Sequence, residues 1–197
     1  MRTASLIGSS GTSMAPAFVQ LARQLARAET VFDDDEPSDH ALGRSVGGFS
    51  SKVHVVTDGN GVPLNATLTK GQAHESTQFE TTLEPIAIHR TRTNRLRRHP
   101  KRLAGDRAYH AKRIRQWLRR RGIRVVIPPR RTRSEKPKRG RPFTYNTEQY
   151  RGRNVIERCV GWLKEYRSIA TRFDKLAVNY LMMVKLGFLM RYLRLLT

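Results

Sequence analysis

The sequence predicts a mixed α/β domain with both antiparallel and parallel strands, and three observations support this. Asp-Gly-Asn-Gly at residues 58–61 separates two runs rich in β-branched residues, as in a β-hairpin. A short strand, a helix and a second short strand follow within residues 102–129, which is the pattern of a parallel βαβ unit. Two apolar helices finish the chain. Together these elements predict a sheet that is closed by helices.

The hairpin strands are expected at about residues 50–57 and 62–69. Asp-Gly and Asn-Gly favour the positive φ angles of a tight turn, so Asp58 is interpreted as a turn former and not as a ligand. The next stretch, QAHESTQFETTLEPI, predicts a helix that begins near Glu75 and ends close to Pro85.

The predicted βαβ unit begins with a short strand that ends at Asp106. The following helix has an apolar stripe, and Gly122 suits its C-terminal end. The stripe consists of Ile114, Trp117 and Leu118. A second strand over residues 124–129 is halted by two prolines, and it is expected to be parallel to the first.

The two ends of the chain differ from this core. Residues 17–29 predict a short amphipathic helix, because Phe18, Leu21, Ala22 and Leu25 fall on one stripe, and an acidic connector follows it. Residues 1–41 are therefore interpreted as a degenerate or poorly ordered N-terminal segment, and residues 42–197 as the folded domain. The closing helices are expected at about residues 147–166 and 174–195. Cationic residues interrupt the second of these, so it is interpreted as a core helix and not as a membrane span: Lys185, Arg191 and Arg194.

Composition points to a polyanionic partner. The chain has 38 Lys and Arg residues against 16 Asp and Glu residues, for a net charge of +22. Such an excess favours nucleic acid, because each neutralised phosphate releases counterions. Cys159 is the single cysteine, which excludes a disulfide framework and a thiolate metal cage and fits a reducing cytoplasm.

Two acidic residues are candidates for chemistry. Asp106 is expected at the carboxyl edge of a parallel strand, where α/β sheets collect ligands, although aspartate at a helix start is also a common N-cap. Glu157 shares one helical stripe with Tyr150, Arg153 and Lys164, because their offsets are three, four and seven residues. Arg153 and Glu157 could equally form an ordinary i,i+4 ion pair.

Four blocks of sequence resemble the bacterial insertion-sequence DDE transposases of the IS4-like superfamily. The pattern Tyr150-x2-Arg153-x3-Glu157-x6-Lys164 matches the signature of that family in its spacing. The stretches ALGRSVGGFSSKVHVVTDGNGVPLNATLTKGQAHEST, LAGDRAYHAKRIRQWLRRRGIRVVIPPRR and IATRFDKLAVNYLMMVKLGFL are similar to its hairpin strands, to the segment around its second carboxylate and to its C-terminal helix. The resemblance extends over residues 40–197.

The resemblance implies an RNase H-like fold and metal-dependent cleavage and transfer of DNA strands. By correspondence, Asp106 and Glu157 are the second and third carboxylates that bind divalent metal, usually Mg²⁺. Arg153 and Lys164 would hold a phosphate or the DNA end, and Tyr150 would contact DNA or position the helix. The implied partners are the terminal inverted repeats, target DNA and further copies of the chain, with no membrane. The implied location is the bacterial cytoplasm, at the nucleoid when the protein is bound to DNA.

The N-terminus departs from the family pattern. The first carboxylate belongs to an Asp-[Gly/Ser]-Thr motif, but SLIGSSGTSM places Ser10, or in another register Gly8, at that position. Asp33, Asp34 and Asp35 are alternatives with no predicted strand to carry them. Members of the family usually also carry DNA-binding helices ahead of the strand that bears this motif, and such helices are missing here. A decayed gene copy and a downstream reading frame joined by ribosomal frameshifting both explain this, and both predict weak or absent catalysis by the isolated chain.

Overall fold

A computed structural model describes residues 17–22, 40–45, 48–89, 95–129 and 146–196 of the protein. Its centre is a six-stranded mixed sheet. Five strands lie side by side in the order β4-β3-β1-β7-β8, and the short β2 pairs with the first residues of β3. The strands are β1 (Ala17–Ala22), β2 (Gly43–Ser45), β3 (Gly48–Thr57), β4 (Pro63–Lys70), β7 (Arg102–Gly105) and β8 (Arg124–Val126). The predicted mixture of antiparallel and parallel strands is confirmed.

The predicted hairpin is confirmed as β3 and β4. Its turn is held by Asp58, whose Oδ1 accepts hydrogen bonds from the backbone N–H groups of Asn60 and Val62, both at 2.8 Å. Gly61 in the same turn has φ +85°, which a glycine adopts without strain. Asp58 is therefore a turn former, as predicted.

The central strand β1 corrects the sequence analysis. Residues 17–22 form a β-strand and not the start of a helix, so the helix prediction for residues 17–29 is wrong in this part. The backbone of β1 pairs antiparallel with β3, where Phe18 lies beside Thr57, and parallel with β7, where Val19 lies beside Gly105. Without this strand the edges of β3 and β7 would be left without partners, so long-range pairing overrides a weak local helical pattern.

The predicted βαβ unit is confirmed. β7 and β8 are parallel neighbours, with Leu103 beside Val125. Between them lie a 3₁₀ helix, Arg107–Tyr109, and the helix α2, Lys112–Arg120. Gly122 follows α2 with φ +68°, as expected for the glycine that ends a helix.

The two faces of the sheet carry different helices. Leu103 packs in one apolar cluster with Ile114 and Leu118 of α2, whereas its neighbour Ala104 packs with Ile156 from the C-terminal part of the chain. Successive side chains of a strand point to opposite faces, so α2 and the helix that carries Ile156 lie on opposite faces of the sheet. The 3₁₀ helix Glu75–Gln78 and α1, Phe79–Leu83, follow β4 on the α2 face, and they confirm the helix predicted near Glu75.

The C-terminal part is divided into more helices than predicted. They are α3 (Thr147–Arg151), α4 (Asn154–Leu163), α5 (Arg167–Ala170) and α6 (Ala177–Leu193). Gly152 separates α3 from α4, and the backbone N–H groups of Arg153 and Val155 bond to carbonyls three residues earlier. Glycine is a weak helix former, so the chain makes one tight turn of the 3₁₀ type here and then continues as α4.

A buried arginine ties the α5–α6 connection to the sheet. Arg172 donates hydrogen bonds to Ser51 Oγ and to the backbone carbonyl of His40, and its guanidinium lies 5.1 Å from the centre of the Tyr180 ring. Burial lowers the pKa of Arg172, an effect partly countered by Tyr180 and Asp174. A charge this deep is tolerated because its donors are satisfied by oxygen acceptors.

Only one face of the helix α6 is buried in the core. Tyr180, Val184 and Phe188 are buried, whereas Met182 and Leu186 are at least half exposed. No helix within the described ranges is long and apolar enough to cross a membrane. Two short strands that the sequence did not predict, β5 (Ile88–His89) and β6 (Leu96–Arg97), pair with each other. β5 lies just before the basic stretch 90–102, and β6 lies within it.

Candidate active site

Asp106 lies at the carboxyl end of β7. The residue before it, Gly105, pairs with Val19 of the central strand β1. Asp106 is half-buried, and its Oδ1 accepts a hydrogen bond of 2.6 Å from the backbone N–H of Arg107, so it caps the following 3₁₀ helix. Within the described ranges Oδ2 accepts no hydrogen bond. The two readings of Asp106 are therefore compatible, because one oxygen caps the helix and the other remains available.

Behind Asp106 is a buried polar chain that fixes the turn. Tyr109, three residues later, is fully buried, and its hydroxyl lies 3.5 Å from Nδ1 of His54 on β3. The other ring nitrogen of His54, Nε2, lies 2.8 Å from Oγ1 of Thr69 on β4. Burial, with the charge of Lys52 as a smaller cause, lowers the pKa of His54 to about 4, so the imidazole is neutral at pH 7. This neutral chain anchors the turn after Asp106 to the hairpin.

A second carboxylate is close to the same turn. Burial raises the pKa of the Tyr109 hydroxyl well above its ordinary value, and the charges of Glu75 and Asp106 raise it further. Both carboxylates therefore act on one buried hydroxyl. Lys52 lies with its Nζ 3.7 Å from Oε1 of Glu75 and donates a 2.9 Å hydrogen bond to the carbonyl of Ala73. The edge of the sheet that bears Asp106 thus also carries a cation and a second acid.

Glu157 is on α4, which packs on β7 and β8. Ile156, the residue before it, belongs to a fully buried cluster with Ala104 and Val126. Glu157 itself is exposed, and its Oε1 is 2.7 Å from Nη2 of Arg153. The predicted i,i+4 ion pair is therefore present.

The predicted polar stripe is only partly continuous. Tyr150 belongs to α3, Arg153 is the residue before α4, and Lys164 is the residue after it. The Arg153 guanidinium lies 5.4 Å from the centre of the Tyr150 ring, so Tyr150, Arg153 and Glu157 form a connected group. Lys164 is exposed and lies one residue beyond the end of the same helix.

A complete carboxylate set is not assembled by the described residues. Among them, no three side chains of the His, Cys, Asp and Glu types come together as a metal site. The strand β1, which neighbours β7, has the sequence AFVQLA and thus no acidic residue. The other candidates for the first carboxylate position lie outside the described residues: Gly8, Ser10, Asp33, Asp34 and Asp35.

Comparison with known proteins identifies the family. A family model described as a transposase DDE domain matches residues 18–193 of the chain. The chain belongs to the transposase DDE domain family. The match starts inside the segment 1–41 that the sequence analysis set apart, and it includes nearly all of β1. Family membership therefore extends to the central strand as well as to the four resembling blocks.

A curated relative of this DDE domain is a Burkholderia cepacia protein named "Putative transposase for insertion sequence element IS402". The two are 34% identical over 137 residues, which is 70% of this chain and 60% of the relative. The resemblance to insertion-sequence transposases is thus confirmed, and DDE transposases in general depend on divalent metal.

The sequence analysis missed the residues that support Asp106 in this DDE domain. His54 and Tyr109 are 55 positions apart in the chain, and nothing in the spacing of either indicates their contact. One signal was available, because His54 shares one face of the predicted strand with Val56, two residues later. A buried histidine in such a row needs a polar partner.

Proposed function

We propose that this chain acts on DNA as the catalytic part of an insertion-sequence transposase. The proposal is carried by one arrangement: Asp106 ends the strand beside central β1, and α4, which bears Glu157, packs on that same strand. The name of the Burkholderia cepacia relative supports DNA transposition as the process. The partners would be the terminal inverted repeats and target DNA.

We further propose that the sheet is RNase H-like. In its support, β1 pairs antiparallel with the hairpin strand β3 and parallel with β7, and a βαβ crossover then leads to β8. The helix α4 covers the sheet face opposite α2. In such a sheet the carboxyl end of β7 is the edge that gathers ligands.

Asp106 and Glu157 would hold the divalent cation, for which Mg²⁺ is the proposed choice. Carboxylate oxygens are hard donors that suit this ion. When bound, such a cation stabilises the negative charge that develops on phosphodiester oxygens. The residues present fit only in part, because β1 contributes no acid and the described residues assemble no group of three ligands. Under this first candidate, weak strand cleavage by the isolated chain is therefore expected.

Arg153, Lys164 and Tyr150 would contact the DNA. Arg153 has most of its side chain covered and already bonds to Glu157, so its first contribution is to keep that carboxylate in place. Lys164 is exposed one residue beyond the end of the same helix and is free to approach a phosphate. Tyr150 would stack beside Arg153 and orient its guanidinium. The net charge of +22 supplies the general attraction for the backbone of DNA.

A second candidate function is favoured by the missing acid in β1. The chain would then bind the ends of the element without cutting them and would compete with an active transposase. This function needs the cationic groups and the fold, but neither Asp106 nor Glu157. In both cases we propose that the protein is a homo-oligomer on DNA and works in the bacterial cytoplasm, at the nucleoid when bound.

Strand cleavage of terminal inverted-repeat DNA in Mg²⁺ tests the first candidate. The wild type is compared with Glu157→Gln and with the matched control Glu165→Gln, which removes an exposed carboxylate just beyond the end of the same helix. Cleavage that is lost in Glu157→Gln and kept in Glu165→Gln supports the catalytic site. Cleavage that survives Glu157→Gln contradicts it. Binding without any cleavage by the wild type supports the second candidate.

A further inference from the structure

The helix α2 has a cationic outer surface. Ile114 and Leu118 are buried against the sheet, whereas Lys112, Arg119 and Arg120 are exposed on the outside of this helix of nine residues. Gln116 is the remaining exposed residue in this row. These four positions follow the helical spacing of four, seven and eight residues, so they form one continuous surface, here called the α2 surface.

Ion pairs among the described residues do not neutralise the α2 surface. Two other cations of the region form ion pairs. Nη1 of Arg113 lies 3.4 Å from Oε1 of Glu80, and Nη2 of Arg121 lies 3.6 Å from Oε1 of Glu84. Lys112, Arg119 and Arg120, in contrast, make no ion pair with any residue that the structure describes.

The placement of the cations is also unfavourable for the helix itself. Lys112 and Arg113 are in the first turn, at the positive end of the helix dipole, where acidic residues are preferred. Arg115 and Arg119 are like charges four residues apart, and burial together with the charge of Arg119 lowers the pKa of Arg115. A helix that keeps such charges without a benefit to folding indicates a polyanionic partner outside the chain.

The α2 surface is separate from the proposed active site. The two lie on opposite faces of the sheet, because Leu103 packs against α2 and Ala104 packs against α4. A single straight duplex that contacts Lys164, directly after α4, would be on the other side of the sheet from Arg119. The two cationic regions therefore fit two nucleic-acid segments better than one.

We propose that the α2 surface binds the phosphate backbone of a second DNA duplex, distinct from the duplex held near α4. This inference rests on the proposed function for the choice of DNA as the polyanion. From Lys112 to Arg120 the helix rises roughly 12 Å, which matches about three to four phosphates along one strand. Contacts to phosphate alone predict binding that is independent of base sequence.

The stoichiometry of binding to a short blunt duplex tests this assignment. The α2 variant is Lys112→Gln/Arg119→Gln/Arg120→Gln, and its matched control, Lys175→Gln/Lys185→Gln/Arg194→Gln, loses the same charge at exposed positions before, in and directly after α6. The wild type and the control are expected to bind two duplexes per protomer, and the α2 variant one. At low salt, where residual binding of the second duplex by the α2 variant is measurable, the magnitude of its slope of log Kobs against log salt should be smaller than in the wild type by roughly 2.7, because three phosphate contacts are lost.

A second set of variants separates this inference from the proposed function. Lys112→Arg/Arg119→Lys/Arg120→Lys keeps the charge and should keep both duplexes. Arg153→Gln/Lys164→Gln should lose the duplex near α4 and keep the one on α2; if it keeps both, the proposed role of α4 fails while the α2 surface stands. An α2 variant that matches its control in stoichiometry and salt slope overturns the inference. Double-stranded RNA that competes better than DNA for the α2 surface also overturns it.

Discussion

The buried histidine behind Asp106 makes the stability of the protein depend on pH in a defined window. His54 is 1% exposed, and its pKa is lowered from 6.5 to about 4 by burial and by Lys52. Below pH 6.5 the unfolded chain binds a proton at this residue that the folded chain rejects until about pH 4. The stabilising contribution of neutral His54 is therefore fully present above pH 6.5, and it is lost as the pH falls towards 4.

The size of the effect follows from the two pKa values. Complete titration through this window costs about 3 kcal/mol, and lowering the pH from 7.5 to 5 alone costs about 2 kcal/mol. Urea unfolding at these two pH values and constant ionic strength measures the loss. In His54→Gln the difference between the two pH values should shrink by about 2 kcal/mol, because glutamine does not titrate.

The matched control for this measurement is His99→Gln, which removes an exposed histidine. It should keep the pH dependence of the wild type. The absolute stability of His54→Gln is not the readout, since loss of the contact with Thr69 destabilises the fold at every pH. Equal pH dependence in the wild type and in His54→Gln would refute the claim that His54 is held neutral in the fold.

Two further predictions concern the hairpin turn and the lone thiol. Alanine at position 61 would have to adopt a left-handed backbone conformation, which costs roughly 1–2 kcal/mol. Gly61→Ala should destabilise the fold by more than this, because the new Cβ would also lie 2.9 Å from Cγ1 of Val155. Gly122→Ala, with φ +68° and open space around the new Cβ, is the control for strain alone, and equal losses in thermal unfolding would contradict the contact. Burial raises the pKa of the Cys159 thiol to about 11, although the charge of Arg191 opposes this. At pH 8 this thiol should therefore react with a disulfide reagent roughly 100-fold more slowly in the native chain than in the unfolded chain, because less of it is thiolate. Similar rates in both states would show that the thiol is accessible.

Much of the fold was predictable because local rules determine it. The Asp58 turn, the strand that ends at Asp106 and the glycine after α2 each depend on a few neighbouring residues. Backbone conformation there is limited by which residues tolerate positive φ or supply a side-chain acceptor. The position of Asp106 directly after its strand followed from the same rules, whereas Glu157 was expected in the middle of a helix over residues 147–166 and lies in the first turn of α4.

The central strand was not predictable in this way. The row of apolar residues in AFVQLARQLARAE suits a helix at least as well as a strand, and neither pattern is strong. Only the assembled sheet decides, because β3 and β7 both offer an edge to the backbone of β1. The same strand then bears on function, since it runs beside β7 without contributing an acid.

By itself the sequence determined the family signature, the order of the hairpin, the βαβ unit and the closing helices, and the place of Asp106 directly after its strand. These features are local in the chain, and spacing alone reveals them. The tertiary structure decided which strand is central, that His54 and Tyr109 support Asp106, and that the cations of α2 and α4 lie on opposite faces. Each of these depends on contacts between residues far apart in the chain, where the pairing of strand edges and the burial of side chains outweigh local preference.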